Sequence, residues 1–369
     1  MHRTSPASAL AVAAAFATMP IPKASAETFR AGLQAFTAAA PSSARNLSGY
    51  VWYPTRSEEP ASLIEDDAVM VGFPSVRDAQ AAYGRLPLVV LSHGWQGNRT
   101  NQAWLAVKLA ARGAVVAAID HPGTTTRDWK SPETPKLWER ARDVSRVIDG
   151  IMADLRFKGA IDRYRIAVIG HSMGGYTAMS VVGARLDMGL ATKDCREHPQ
   201  LAVCTWYRDN GIHDIGQDPA RSAPYGQDLR DPRVAAAIAL DPAFTGAMTK
   251  ESLDSVDIPV LVVGVAGRNP AMDIGREARR LASRLPPAST RYVEIADASH
   301  FSFLGECTPE GYAILKAHQP GDEILCIDGD PVGGGNRGRD RASLHAAMLE
   351  EIDAFLVESA ILDAPHPSR

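Results

Sequence analysis

The chain has 369 residues, 45% hydrophobic and 22% charged, with a formal net charge of −4. These values suit one large or two small globular domains. No Lys/Arg run marks a nucleic-acid surface, and nothing in the charge favours an anionic polymer or membrane.

Residues 1–26 have the form of an export signal. Arg3 supplies the positive start, residues 9–17 an apolar core, and Ala24, Ser25 and Ala26 a small-x-small cleavage site before Glu27. The apolar run is too short to span a bilayer. The mature domain is therefore expected over residues 27–369, without an integral membrane segment. A periplasmic or extracellular location follows from export.

Beyond the signal, Gly49–Tyr53 (residues 49–53) and residues 68–71 suggest an antiparallel edge hairpin. Residues 86–91 form a continuous apolar run, the pattern of a buried strand. The loop at residues 92–97 follows it. Residues 102–112 can be helical up to Gly113, and residues 114–119 give the next strand. Between residues 137 and 155, Val144, Val147, Ile148, Ile151 and Leu155 fall on one helical stripe.

Arg165, Ile166, Ala167, Val168 and Ile169 then lead into Gly170, His171, Ser172, Met173, Gly174 and Gly175. This is G-x-S-x-G between a buried strand and a helix. The glycines let strand and helix approach closely while a serine occupies a strained turn with its hydroxyl exposed. Ser172 is the expected nucleophile.

Residues 187–230 interrupt the strand–helix alternation, which needs only a short return at that point. The segment contains Cys195, Cys204, Trp206, Tyr207 and Tyr225. A lid over an apolar substrate accounts for the aromatic residues, and a surface decoration is the alternative. Trp206, Tyr207 and Tyr225 are the candidate substrate contacts.

Strands are expected at residues 234–240, 259–265 and 290–295, with a closing helix over 342–356. A serine hydroxyl needs a base, and the base needs an acid to fix its tautomer. His300 follows the last strand, where the base belongs in the order Ser, acid, His. Asp241 ends the strand after the elbow and is the preferred acid over Asp273, because sites form at the carboxyl ends of strands. The backbone N–H groups of Trp95 and Met173 are the expected oxyanion donors.

Residues 307–340 read as irregular loop. Asp328, Gly329 and Asp330 hint at a calcium loop, but Val332 and Arg339 stand where oxygen ligands belong. The glycines at 333–338 lack a preceding strand and the spacing of a dinucleotide fold. No metal or cofactor is expected. The four cysteines allow three pairings, and proximity favours Cys195 with Cys204 and Cys307 with Cys326. No C-x-x-C pair supports zinc.

Three stretches carry a family likeness: Ser92, His93, Gly94 and Trp95; residues 109–118; and Asp120, His121, Pro122 and Gly123. They resemble the dienelactone-hydrolase-like and platelet-activating-factor-acetylhydrolase-like α/β-hydrolases over about residues 45–360. The resemblance implies the α/β-hydrolase fold, a doubly wound, mostly parallel sheet here carrying a disulfide-stapled insertion. In the second group the triad acid follows the strand after the elbow, which agrees with Asp241. The insertion and cysteine pairs are similar to those of bacterial β-diketone hydrolases acting on oxidised polyvinyl alcohol. That implies C–C cleavage through an acyl-enzyme, in a monomer acting on a small molecule or polymer segment. A carboxylesterase or lipase acting on short- or medium-chain acyl esters is the alternative. A catalytically silent binding protein is another, and the intact Ser, Asp, His order argues against it.

Overall fold

The computed structural model describes residues 29–38, 45–266, 272–329 and 339–364. The export segment, residues 267–271 and the glycine-rich run at 333–338 lie outside the described residues. Strand patterning decides position in the sheet. Four N-terminal strands, β1 (Arg30–Ala38), β2 (Leu47–Thr55), β3 (Ser62–Ile64) and β4 (Phe73–Arg77), mix apolar and polar residues. The runs that follow are more continuously apolar: β5 (Leu86–Ser92), β6 (Val115–Asp120), the second half of β7 (Ile161–His171), β8 (Ala236–Leu240) and β9 (Val260–Val265). β10 (Thr290–Ile295) closes the edge and is only partly buried. Strand order is β10-β9-β8-β7-β5-β6-β2-β1-β4-β3. β5 to β10 run parallel to one another, as expected where helices cover both faces.

The helices, in chain order, are α1 (Ala103–Ala111), α2 (Trp138–Ala153), α3 (Met173–Val181), α4 (Met188–Glu197) and α5 (Ala202–Asp209). They continue as α6 (Pro219–Ser222), α7 (Lys250–Asp254), α8 (Ala278–Arg284), α9 (Gly311–His318) and α10 (Arg341–Glu358). Side chains alternate across a strand, so β5 feeds both cores. Val89 and Leu91 pack with Leu105 and Leu109 of α1 and Leu344, Met348 and Ile352 of α10. Leu88 and Val90 face the other core with Val144, Val147 and Ile148 of α2 and Met179 of α3. This is the α/β-hydrolase fold.

Three expectations need correction. Residues 49–53 do not pair with 68–71. β2 lies between β1 and β6, antiparallel to both, and Met70 forms only an isolated bridge with Cys307. β1 supplies the partner through its own alternation, which the hairpin reading passed over. Leu155 leaves the buried stripe and is 83% exposed, because α2 ends at Ala153 and Asp154 turns to extended backbone. Residues 307–340 are not simply loop: α9 and a 3-10 turn at Asp322–Cys326 pack together, and Asp328 is a buried partner of Arg341.

The insertion is helical. Cys195 of α4 bonds Cys204 of α5, and Cys307 bonds Cys326, as sequence proximity favoured.

Close backbone contact around the elbow leaves no room for a side chain. A Cβ on Gly174 would collide with the Ser92 carbonyl oxygen. Gly174→Ala is expected to destabilise the protein by about 3 kcal/mol, the upper range for forced overpacking. Denaturant midpoints check this, and an unchanged midpoint would contradict it.

Candidate active site

The sheet register brings the expected residues to one edge. His171 of β7 is paired with Leu240 of β8, so Ser172 and Asp241 each stand one residue beyond paired strand ends. Ser172 holds φ 58° and ψ −118°, a conformation costly for a residue with a Cβ. Backbone bonds restrain it: Ser172 N–H donates to Leu240 O (2.9 Å), and Ala243 N–H donates to Ser172 O (3.1 Å). Asp241, also at positive φ (39°), donates its N–H to Val263 O (2.7 Å).

His300 Nδ1–H donates to Asp241 Oδ2 at 2.6 Å. The carboxylate can only accept, so a proton sits on Nδ1. His300 opens a short 3-10 turn, His300–Phe303, closed by a capping box between Ser299 and Ser302. Three elements anchor that turn. His171 Nε2–H donates to His300 O (2.8 Å), Trp104 Nε1–H donates to Phe303 O (2.9 Å), and His345 Nε2–H lies 3.0 Å from Ser302 O and 2.9 Å from Leu304 O. Asp328, joined to Arg341, accepts from Ser302 Oγ. The imidazole of His171 lies against that of His300, ring centroids 4.6 Å apart. Ser172, Asp241 and His300 are thus gathered at the carboxyl ends of β7, β8 and β10.

The other two expected residues flank the serine. Met173 opens α3, where the first N–H groups have no intrahelical partner. Trp95 sits in the loop after β5, and a Cβ on neighbouring Gly94 would lie 3.1 Å from Ser172 Cβ. Beside this loop opens a cleft of about 910 Å³ lined by Trp95, Trp129, Lys130, Pro135, Trp206 and Asp209, among others. The Trp95 ring makes edge contacts with Trp129 (6.1 Å) and Trp206 (5.8 Å).

Of the three aromatic residues of the insertion, only Trp206 lines this cleft. Tyr207 is buried against Trp206 and Phe244. Tyr225 packs edge-on against Trp138 and donates its hydroxyl to Pro135 O (2.8 Å). Composition marks an aromatic insertion, but it does not say which rings hold it down. Sequence reasoning missed Trp129, whose only signal was an aromatic residue in the loop after a central strand. It also missed Glu277.

Among the described residues no group of three or more His, Cys, Asp or Glu could hold a metal ion, and no helix is long and apolar enough to cross a membrane. Asp273, the alternative acid, turns its carboxylate onto the N–H groups of Gly275 and Arg276.

Glu277 is fully enclosed beneath the segment that carries Asp241. It accepts hydrogen bonds from Thr245 N–H (3.0 Å) and Thr245 Oγ1 (2.7 Å). Burial, helped by the nearby charges of Asp194 and Asp241, pushes its carboxyl from 4.5 up to about 7 despite those bonds. The folded state therefore prefers the protonated form. Its contribution is fully present below pH 4.5 and is lost as pH rises through 7. Glu277→Gln keeps an acceptor for Thr245 and removes the charge. Unfolding free energies are expected to converge at acid pH and to favour the variant by roughly 3 kcal/mol above pH 8, from the size of the shift. A pH-independent difference would refute this.

With this geometry in view, comparisons with known proteins are specific. Residues 89–313 match the alpha/beta hydrolase family model. The chain is 30% identical over 161 residues to a cutinase of Thermobifida alba, covering 43% of this chain and 47% of that protein. It is 27% identical over 220 residues to bis(hydroxyethyl) terephthalate hydrolase of Streptomyces coelicolor, covering 59% and 52% respectively. It thus spans about half the length of the curated relatives it matches. A ferulic acid esterase structure from Streptomyces cinnamoneus shares its fold, with a TM-score of 0.59, 23% identity, and coverage of 93% of this chain and 96% of that one. The elbow, the parallel sheet and the family match agree: this chain belongs to the alpha/beta hydrolase family.

Proposed function

We propose that this chain is an exported serine hydrolase that cleaves carboxylic esters in its aromatic cleft. The observation that carries the proposal is the Asp241–His300 hydrogen bond beside the strained Ser172 elbow. His300 Nε2 takes the Ser172 proton as Oγ attacks the ester carbonyl. The Trp95 and Met173 N–H groups receive the oxyanion, and Asp241 stabilises the imidazolium that forms. His300 then protonates the departing alkoxide, and a water molecule repeats the sequence to release the acid. No metal or cofactor enters these steps. Cutinase and terephthalate-ester hydrolase relatives support the ester reading. The disulfides support export, since they persist in oxidising compartments.

The cleft favours a second substrate class as well. Its indole walls suit an extended apolar segment, and the insertion resembles that of β-diketone hydrolases. In that case Ser172 attacks one carbonyl of a 1,3-diketone. The C–C bond breaks because the second carbonyl takes up the electron pair as an enolate, His300 protonates the carbon, and water then releases the carboxylic acid from the acyl-enzyme. The triad serves both reactions, so the pocket must discriminate.

Turnover of p-nitrophenyl esters and of a 1,3-diketone by the mature protein separates the two. Ester turnover with labelling of Ser172 by a fluorophosphonate is expected, and diketone cleavage without ester turnover would overturn the ester reading. Ser172→Ala should abolish activity and labelling. Asp241→Asn should lower kcat by about 10⁴-fold while Asp273→Asn leaves it unchanged. The reverse result would move the acid to Asp273.

A further inference from the structure

Behind the loop that carries Trp95 lies a buried polar network that the proposed reaction does not use. His121 N–H donates to His93 Nε2 at 3.0 Å. A backbone N–H can only donate, so His93 Nε2 is bare and its proton sits on Nδ1. That Nδ1–H donates to Gly94 O at 2.7 Å, a carbonyl that also accepts from Gly97 N–H at 3.2 Å. The amide plane then fixes the next donor, because C=O and N–H of a trans peptide point to opposite sides. With the Gly94 carbonyl drawn toward the His93 ring, the Trp95 N–H is turned away from it.

The preceding peptide is held in the same manner. Arg140 of α2 donates to His93 O, to Ser92 Oγ (3.3 Å), to Thr124 Oγ1 and, on α3 behind the serine, to Thr177 Oγ1 (3.0 Å). Ser92 Oγ lies 2.9 Å from His121 Nε2, and His121 Nδ1 lies 3.0 Å from Asp143 Oδ2. Asp143 is further bound by Arg45 (2.9 and 2.7 Å) and Arg146 (2.9 Å). Burial, reinforced by the Arg140 charge, holds both imidazoles well below their ordinary pKa, so they are neutral and each tautomer is set by its partners.

We propose that His93 is a positioning residue that, through its Nδ1–H bond to the Gly94 carbonyl, aims the Trp95 N–H at the developing oxyanion. The inference rests on the serine-hydrolase reading above. His93 touches no substrate; it acts through one peptide plane.

Two substitutions divide its bonds. His93→Asn keeps a side-chain donor near Nδ1 and gives up the acceptor for His121 N–H. His93→Gln keeps an acceptor near Nε2 and gives up the donor to Gly94. The Asn variant is expected to retain kcat within a few-fold. The Gln variant should lose kcat by about 10²- to 10³-fold, the usual effect of a lost oxyanion donor, with KM unchanged. Affinity for a trifluoromethyl ketone, whose hemiketal oxyanion on Ser172 occupies the same place, should fall in step with kcat. Equal losses in both folded variants, or a wild-type kcat in the Gln variant, would overturn the inference.

Nitrogen NMR of the unmodified protein tests the tautomer without any substitution: a His93 protonated at Nε2 would also overturn it. Fluorophosphonate labelling keeps the two readings apart. An unlabelled Ser172 in the wild type means the hydrolase reading has failed. A labelled Ser172 beside an unaffected Gln variant means that only the role of His93 has failed.

Discussion

The backbone of Ser172 is the constraint around which this molecule is built. A residue with a Cβ held at φ 58° and ψ −118° relaxes unless its surroundings leave no other arrangement. Those surroundings are strand ends and glycines. A Cβ on Gly170 would strike the Gly174 carbonyl, and one on Gly175 would lie 2.8 Å from Pro242 Cα. At these glycines β7, α3 and the segment after β8 approach to backbone distance. The same contacts bring Asp241 next to the serine, since Ser172 N–H and O bond on either side of it, to Leu240 and Ala243. The strain at Ser172 and the position of Asp241 are one structural fact.

Among the described residues Ser92, His121 and Asp143 form a linked Ser–His–Asp chain, which contrasts with the surroundings of Ser172. Ser92, His121 and Asp143 are linked at 2.9 and 3.0 Å, but all three are fully enclosed. Ser92 ends a strand and receives Arg140, while Asp143 shares its charge with Arg45 and Arg146. Every lone pair and proton there is already committed. Around Ser172 the commitment is partial: Asp241 holds Nδ1 of His300, and Nε2 stays available. Neighbouring histidines do not compete for the proton. Burial drives His171 well below its ordinary pKa and His345 down to about 4, so they act as neutral struts.

Legibility in the sequence followed the physics of each element. Central strands such as residues 86–91 were plain because burial on both faces demands an unbroken apolar run. Ser172 and His300 were plain because a strained elbow and a late base have few sequence solutions. The rule that strand ends carry sites singles out Asp241, and its carboxylate lies on His300 Nδ1. The misplaced hairpin shows the limit: pairing partners depend on which strand reaches which edge, and short alternating segments leave that undetermined. The His93–Arg140 network was illegible for a related reason. His93 and Gly94 read only as part of the loop that offers the Trp95 N–H, and their partners come from α2 and the loop after β6.

The insertion is mechanically joined to the segment that carries Asp241. Trp206 gives one face to the cleft and packs edge-on against Phe244 at 5.2 Å, while Tyr207 packs against the same ring at 5.6 Å. Phe244 stands three residues after Asp241, at φ 67°, and Thr245 beyond it is held by Glu277. Any shift of α5 must therefore press on the segment that carries the acid. The Cys195–Cys204 bond ties α5 to α4, and Arg280 ties α4 to α8 through Asp194 at 2.8 Å. The wall of the cleft is tied to the segment that carries Asp241, so substitutions at Trp206 act on that segment as well as on the cleft.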